Sequence, residues 1–419
     1  MNRIFDRADI LLPRDCDMTK WSVVACDQFS SQPEYWDALE RETAGVPSTL
    51  HLMFPEAYLG VRDQFAEAEK INAEMERYLT GGVFRTLKDS YVYIERTLRS
   101  GEVRRGLLGV LDLEAYDYAK DSVSPIRATE GTIESRLPPR VRVREGAALE
   151  MPHIMVFIDD PQNGVMGLLD GMKAGLPKLY DFDLCADGGH IRGWQVSGPD
   201  ADALEQALDQ LSDPDMLRAR YGEAAPVIYA MGDGNHSLAT AKKCWEAIKP
   251  RLSEEERRTH PARRSLVELV NIHDAAIGFE PIHKVLFETD PAAFLTEAGD
   301  ALAALHGDAD TAHTLRLLTA AGEREITVRG LTIGQIIGAA EEVCQAYMAR
   351  HGGRIDYIHN DETAVGMGRR PDGAAVLLPR MEKGELFPSI IRSGPFPKKS
   401  FSIGHAQDKR YYLECRAIR

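Results

Sequence analysis

The stretch MGDGNHSLATAKKCW, Met231 to Trp245, sets an acid, two glycines, an amide, an imidazole and a hydroxyl between an apolar run and a helical pattern. A strand that turns directly into a helix points several unpaired backbone N–H groups at one spot, where the helix dipole favours an anion. Gly232 and Gly234 let a ligand approach the backbone, and Asn235 or Ser237 can cap the helix or donate to a phosphate. His236 can donate to a phosphate or move a proton, and Asp233 can bind Mg2+ or accept a substrate proton. The same residues also make an ordinary polar turn with Ser237 as its cap, and the spacing alone leans towards that plainer arrangement.

Four further stretches carry chemistry. SPIRATEGTIESRLPPRVRVRE crowds Arg127, Thr129, Glu130, Thr132, Arg136, Arg140, Arg142 and Arg144 together. Arginine suits bidentate grip on phosphate or carboxylate, but most of such a run is a solvated face. Arg127 and Glu130, between Pro125 and Gly131, are the stronger candidates. HIMVFIDD ends in Asp159 and Asp160, a strand-end position that suits either metal-binding acids or a polar turn before Pro161. EPIHKV brings His283 and Lys284, and PFPKKSFSIGH brings Lys398, Lys399 and Ser400, which are either exposed or closed over a polyphosphate. The chain contains no G-x-x-x-x-G-K-[ST] loop, no H-E-x-x-H and no G-x-S-x-G.

The elements that position these residues alternate irregularly, which predicts an α+β (mixed α/β) fold. Helical spacing predicts helices from Pro33, over Phe65–Leu79 with Phe65, Ala68, Ile71, Met75 and Tyr78 on one face, and over about Ser237–Ile248. Asp200 is expected to cap a helix through Leu211, and Asp290 one that starts at Pro291. YVYIERTLRSGEVRRGLLGVLDLEAY, FDLCADGGHIRGWQV and TLRLLTAAGEREITV read as β-hairpins, the second turning on positive φ angles at Gly188 and Gly189. APVIYAM is a buried strand feeding the glycine corner, and LVELVNIHDAAIGFEPIHKVLF carries at least one more, ending near Phe287. The expected organisation is a main domain over 1–288, a small α/β subdomain over 289–350, and a segment 351–419 returning to the main domain.

With 419 residues and a formal net charge of −15, the chain excludes nucleic acid and anionic membranes as its expected partners. Six scattered cysteines without a C-x-x-C pair argue against a disulfide framework or a structural zinc, and fit a reducing cytoplasm. No signal-like or membrane-spanning apolar run is present, so a cytoplasmic protein with a small-molecule partner is expected.

Taken in order, TLHLMFPEAYL, the first hairpin, SPIRATEGT, MPHIMVFIDDP, YAMGDGNHSLATAK, GFEPIHKV and PFPKKSFSIGH resemble the family called domain of unknown function 1015, over nearly the whole chain. That family is similar to the free-serine kinases. The resemblance implies a ParB/sulfiredoxin-like core with added hairpins and a smaller C-terminal subdomain. Its D-G-H-H-R signature falls on residues 233–237, keeping Asp233, Gly234 and His236, with Asn235 for the first imidazole and Ser237 for the arginine. Its H-E-x-T element falls on Thr129, Glu130, Gly131 and Thr132, P-T-H-R on Pro281, Ile282, His283 and Lys284, and P-x-K-S on Pro397 to Ser400. Its P-Y-D is represented by Ala25, Cys26 and Asp27, and its P-E by Pro55 and Glu56.

The resemblance implies a small-molecule kinase that moves a phosphoryl group from ATP or ADP, with Mg2+, to a hydroxyl such as that of free serine. Asp233, His236, Glu130 and Glu56 are then the candidate catalytic residues. Gly232, Gly234, Asn235, Ser237, Arg127, Thr132, His283, Lys284, Lys398, Lys399 and Ser400 are the candidate nucleotide contacts. Asp233, Asp159 and Asp160 are the candidate metal ligands. The rival expectations are a nucleotide- or phosphometabolite-binding protein without turnover, and a metal-dependent hydrolase using His236, Asp159 and Asp160.

Overall fold

Alternation along two long strands builds the centre of the molecule. In Phe84–Thr97, Val92 and Ile94 enter one core while Tyr91 and Tyr93 enter another, the two-residue period of a pleated strand. Val103–Asp112 repeats the pattern, with Leu108 and Val110 on one side and Leu107 and Leu111 on the other. The two pair antiparallel, with Val92 opposite Leu108, which is the first expected hairpin. The computed structural model describes residues 3–222 and 226–419.

Among the described residues these strands belong to an eleven-stranded mixed sheet. From one edge its path runs through Tyr116–Asp117, Ile126–Arg127, Tyr229–Asp233, Met155–Ile158, Arg264–Asn271, Val103–Asp112, Phe84–Thr97, His190–Ser197 and Lys178–Asp183. Parallel pairing joins Tyr229–Asp233 to Ile126–Arg127, and Met155–Ile158 to Arg264–Asn271. Helices Pro33–Glu42 and Gln64–Thr80 pack Trp36, Ile71, Met75 and Tyr78 against one face, and Pro199–Gln210 and Asn235–Ile248 pack Leu204 and Trp245 against the other.

A second, five-stranded antiparallel sheet runs Gly322–Arg329, Ala312–Thr319, Ala374–Leu377, His283–Phe287, Arg354–Ile358. Residues 289–350 therefore supply two of its strands, the hairpin expected there, while segments before and after supply the rest. Helices Pro291–Ala303 and Ile333–His351 cover it, and Asp290 caps the first by accepting from the N–H groups of Ala292 and Ala293. Met155, Phe157 and Ala230 of the main sheet share one apolar cluster with Phe294, Leu315 and Ile336, so the two sheets meet beside the glycine corner.

Local expectations are adjusted in four places. The cap before the helix Pro199–Gln210 is Gly198, and Asp200 lies in its first turn, because Pro199 already occupies the opening helical position. In the hairpin Lys178–Asp183 to His190–Ser197, positive φ falls on Ala186, Asp187 and Gly189 and not on Gly188. Phe65 stays 60% exposed with the Arg142 guanidinium 4.1 Å above its ring, one turn too early to reach the core. The strand expected over APVIYAM begins at Tyr229, and Ala225 lies outside the described residues.

Candidate functional site

The corner at residues 231–235 is dictated by close approach. The strand Tyr229–Asp233 shifts register against Met155–Ile158 between Met231 and Asp233, so Gly232 sits in an irregularity. A side chain at Gly232 would meet the Phe157 ring at 2.9 Å, and one at Gly234 would lie 2.2 Å from the His153 carbonyl oxygen. Gly234 also adopts φ +79°, and it is the helix cap. The helix therefore starts at Asn235, has no side-chain cap, and leaves Ser237 three residues inside it. The plainer arrangement, Ser237 as cap, is not the one formed.

Asp233 is held by three donors. Gly234 N–H donates to Oδ1 at 2.7 Å, while His153 Nε2 and Lys409 Nζ each lie 3.1 Å from Oδ2. Burial opposes ionisation, but Lys409 and His153 outweigh it and hold the carboxyl far below the ordinary carboxylate range. His153 Nδ1 is 2.9 Å from the Arg410 carbonyl oxygen, so both ring nitrogens face oxygen acceptors. Lys409 in turn is held above the usual lysine value by Asp233, against its own burial. An acid so firmly ionised holds cations in place and is a poor acceptor of a substrate proton.

Around this cluster, separate motifs converge on one polar cavity of about 300 Å3. Its walls include Thr129 and Glu130, Gly232, Asp233 and Asn235, and Lys399, Ser400 and Lys409. Thr129 Oγ1 donates to the Met231 carbonyl at 2.6 Å, tying its loop to the corner strand. Phe396 N–H donates to the Thr129 carbonyl at 2.7 Å, and Lys399 N–H donates to Glu130 Oε1 at 2.6 Å, which brings in the PKKS loop. Lys399 adopts φ +57°, and its amine lies 4.4 Å from the centre of the Tyr357 ring. Burial raises the Glu130 carboxyl above its ordinary value, against the Lys399 N–H and Lys409. Asn235 Oδ1 is buried without a partner.

His236 and Glu56 lie on the other side of the corner. His236 Nε2 accepts from Ile133 N–H at 3.3 Å, and burial together with Arg140 and Arg136 lowers its imidazole to about 4. It is neutral near pH 7, so it adds no positive charge for a phosphate. Glu56 makes a 2.5 Å ion pair with Arg140 and, with Ser237, lines a second cavity of about 140 Å3. Lys398 is exposed near His236, and Thr132 Oγ1 is buried without a partner beside Ile133.

Several expected site residues are not brought there. Met155–Ile158 runs antiparallel to Tyr229–Asp233, with Met155 opposite Asp233, so Asp159 and Asp160 leave the far end of the strand, roughly 14 Å away at about 3.4 Å per residue. Asp159 is closed by His273 Nε2 at 2.6 Å, Arg220 Nη1 at 3.3 Å and the Tyr221 hydroxyl, and Asp160 accepts from Val165 N–H at 2.9 Å. Asp233, Asp159 and Asp160 therefore do not form a metal site, and among the described residues no group of three His, Cys, Asp or Glu is placed to hold one. Lys284 is buried against Glu341 at 2.6 Å, and His283 bridges Asp361 and the Leu378 N–H. Both spend their polar atoms on partners beside the second sheet, leaving Ile282 as the neighbouring residue in the cavity. Arg127 donates to the Ser124 carbonyl at 2.8 Å and lines a different cavity, with Lys120 and Gly394.

Sequence reasoning passes over His153, Lys409 and Tyr357. The first stands in MPHIM and the second in the polar tail, and neither spacing connects them to residue 233. Among the described residues no helix is long and apolar enough to cross a membrane.

A model of the family described as "Protein of unknown function (DUF1015)" matches residues 11–366. No curated protein matches the chain in sequence. Among solved structures it is similar to a conserved hypothetical protein from Pyrococcus furiosus, at 9% identity over 70% of this chain and 89% of that one, TM-score 0.31. It is similar to a free serine kinase in complex with AMP, at 10% identity over 71% of this chain and 87% of that one, TM-score 0.34. It is also similar to SbnI with a C-terminal truncation from Staphylococcus aureus, at 9% identity over 71% of this chain and 82% of that one, TM-score 0.33.

Proposed function

The chain belongs to that DUF1015 family, and from this premise and the geometry of the polar cavity we propose that it is a nucleotide-dependent phosphotransferase acting on a small hydroxyl compound. The observation that carries the reading is the meeting of Glu130, the Gly232–Asn235 corner, the Lys399–Ser400 loop and Lys409 at one cavity of about 300 Å3. Phosphates of ATP or ADP rest against Lys399, Lys409 and the open N–H groups at the start of the helix Asn235–Ile248. Gly234 gives them room, and Asp233 with His153 fixes where the Lys409 charge lies.

Glu130 is the proposed base. Its Oε1 is anchored by the Lys399 N–H, and its raised proton affinity suits general-base work better than that of Asp233. The substrate hydroxyl, such as that of free serine, gives its proton to Glu130 as its oxygen bonds to the terminal phosphorus. The bridging P–O bond breaks with its electron pair going to the departing nucleotide. Positioning and charge do most of this work. Asp233 has its oxygens engaged, so the cavity supplies no protein-built Mg2+ centre and no step is assigned to one.

Calorimetry with ADP and ATP, followed by label transfer from terminally labelled nucleotide to L-serine and other hydroxy acids, tests the proposal. Micromolar nucleotide binding with transfer supports it, and absence of binding overturns it. A second reading, nucleotide binding as a switch without turnover, is favoured by Asp233 having both oxygens engaged by Gly234, His153 and Lys409. It is selected if nucleotide binds and no acceptor in the panel is labelled.

A further inference from the structure

The first turn of the helix Asn235–Ile248 has a cavity on each side. Asn235 lines the polar one and Ser237 the second; along the tail, Lys409 lines the polar one and Tyr411 the second. The cavities thus flank the same two segments with no lining residue in common, and their chemistry is opposite. The second, about 140 Å3, is walled by Leu52, Met53, Met75, Val143, Leu149 and Met151. An apolar cavity of about 150 Å3 in another protein takes up benzene, so this one has room for a branched aliphatic or phenyl group and far more than a serine side chain needs. Its polar end holds Arg140, whose Nη2 is paired with Glu56 at 2.5 Å and lies 3.9 Å from Asp27, and whose Nη1 donates to the Arg136 carbonyl at 3.1 Å, so that part of a five-donor guanidinium is left for a ligand.

The surface at this cavity is apolar too. Among the described residues the large apolar side chains that stand exposed are Leu59, Val61, Phe65, Val103 and Val123, and three of these five fall within residues 59–65. Leu59 itself lines the cavity, and Phe65 lies under Arg142 on the helix Leu137–Gly146 that also supplies Arg140 and Val143.

We propose that the second cavity is a ligand site of its own, and that its ligand is a hydroxy- or amino-hydroxy carboxylic acid with a branched or aromatic side chain. The apolar body fills the space between Leu52, Met75 and Leu149, the carboxylate meets Arg140, and the hydroxyl lies towards Ser237. This inference rests on the cavity alone for the shape and charge of the ligand and stands apart from the phosphotransferase reading.

The test is calorimetry of the full chain with L-serine, β-hydroxyleucine and β-phenylserine, each with and without ADP. A buried methylene is worth about a fourfold gain in affinity, so the two larger acids should bind at least about tenfold tighter than L-serine. The methyl ester of β-phenylserine should lose about tenfold, and Ala147→Phe, which fills the cavity, should erase the preference while ADP affinity stays the same. Equal binding of all three acids, or equal binding of the ester, overturns the proposal and needs no variant to fold. If ADP fails to bind while the size preference and ester penalty persist, the phosphotransferase reading falls and the amphiphile site stands.

Discussion

Two Asp–His–cation clusters occupy opposite ends of the same pair of strands. At one end Asp233 meets His153 and Lys409, both at 3.1 Å; at the other Asp159 meets His273 at 2.6 Å and Arg220 at 3.3 Å. By composition they are twins. They differ in what surrounds them: Asp159 is closed on its second oxygen by the Tyr221 hydroxyl as well, whereas Asp233 opens onto a cavity kept clear by Gly232 and Gly234. An acid, an imidazole and a cation are thus a structural device by default. Backbone without side chains, and a neighbouring loop such as PKKS, leave one of them facing an open cavity.

The comparison is broken most severely through the base. Glu130→Gln should lower phosphoryl transfer by about 10²- to 10⁴-fold while nucleotide affinity, read by calorimetry, stays within about threefold. An equal loss of both would mean that Glu130 only holds the Lys399 loop. Next in size is Gly234→Ala, which puts a Cβ 2.2 Å from the His153 oxygen at φ +79°; a loss of about 1–3 kcal/mol in denaturant unfolding is expected, with nucleotide affinity falling in parallel. The two clusters are then set against each other. Asp233→Asn should weaken nucleotide binding by about tenfold, because Lys409 and His153 lose their anchor. Asp159→Asn should cost on the order of 1–3 kcal/mol of stability and leave affinity within about twofold. Identical outcomes would erase the distinction between them.

The smallest effect is on pH. His236 is held near 4 when folded against 6.5 when unfolded, so below 6.5 the unfolded chain takes up the proton first and stability falls between pH 6.5 and 4. His236→Gln should flatten that part of a Tm-against-pH curve. Glu130 acts with the opposite sign: its raised folded value makes the folded state bind the proton first, so its contribution is lost as pH rises through that value, and transfer should rise over the same range.

The elements and the corner were legible in the sequence because they rest on local signals: alternation in YVYIERT, the first-turn proline Pro33, the cap Asp290, and the glycines around Asp233. Glu130, Lys399 and Ser400 were legible through the order of their motifs. His153 and Lys409 were not, since each reaches Asp233 from a separate part of the chain, with no spacing to mark it. Asp159 and Lys284 misled for a related reason. A strand end or a lysine in a motif does not say which end of the sheet, or which side of a strand, it will occupy.

The polar cavity draws its walls from residues 129–130, 232–235, 282, 357–359 and 396–409. Such distant pairings are the slowest to form, because the loops between them must close first. A half-folded molecule with its hairpins and helices in place would have nothing for a ligand to grip. Ligand binding is therefore a stringent report of completed folding, and a ligand at about 100 times its Kd would add roughly 2.7 kcal/mol to the finished state alone. In a crowded cell the abundance of this protein would then follow the supply of whatever fills the cavity.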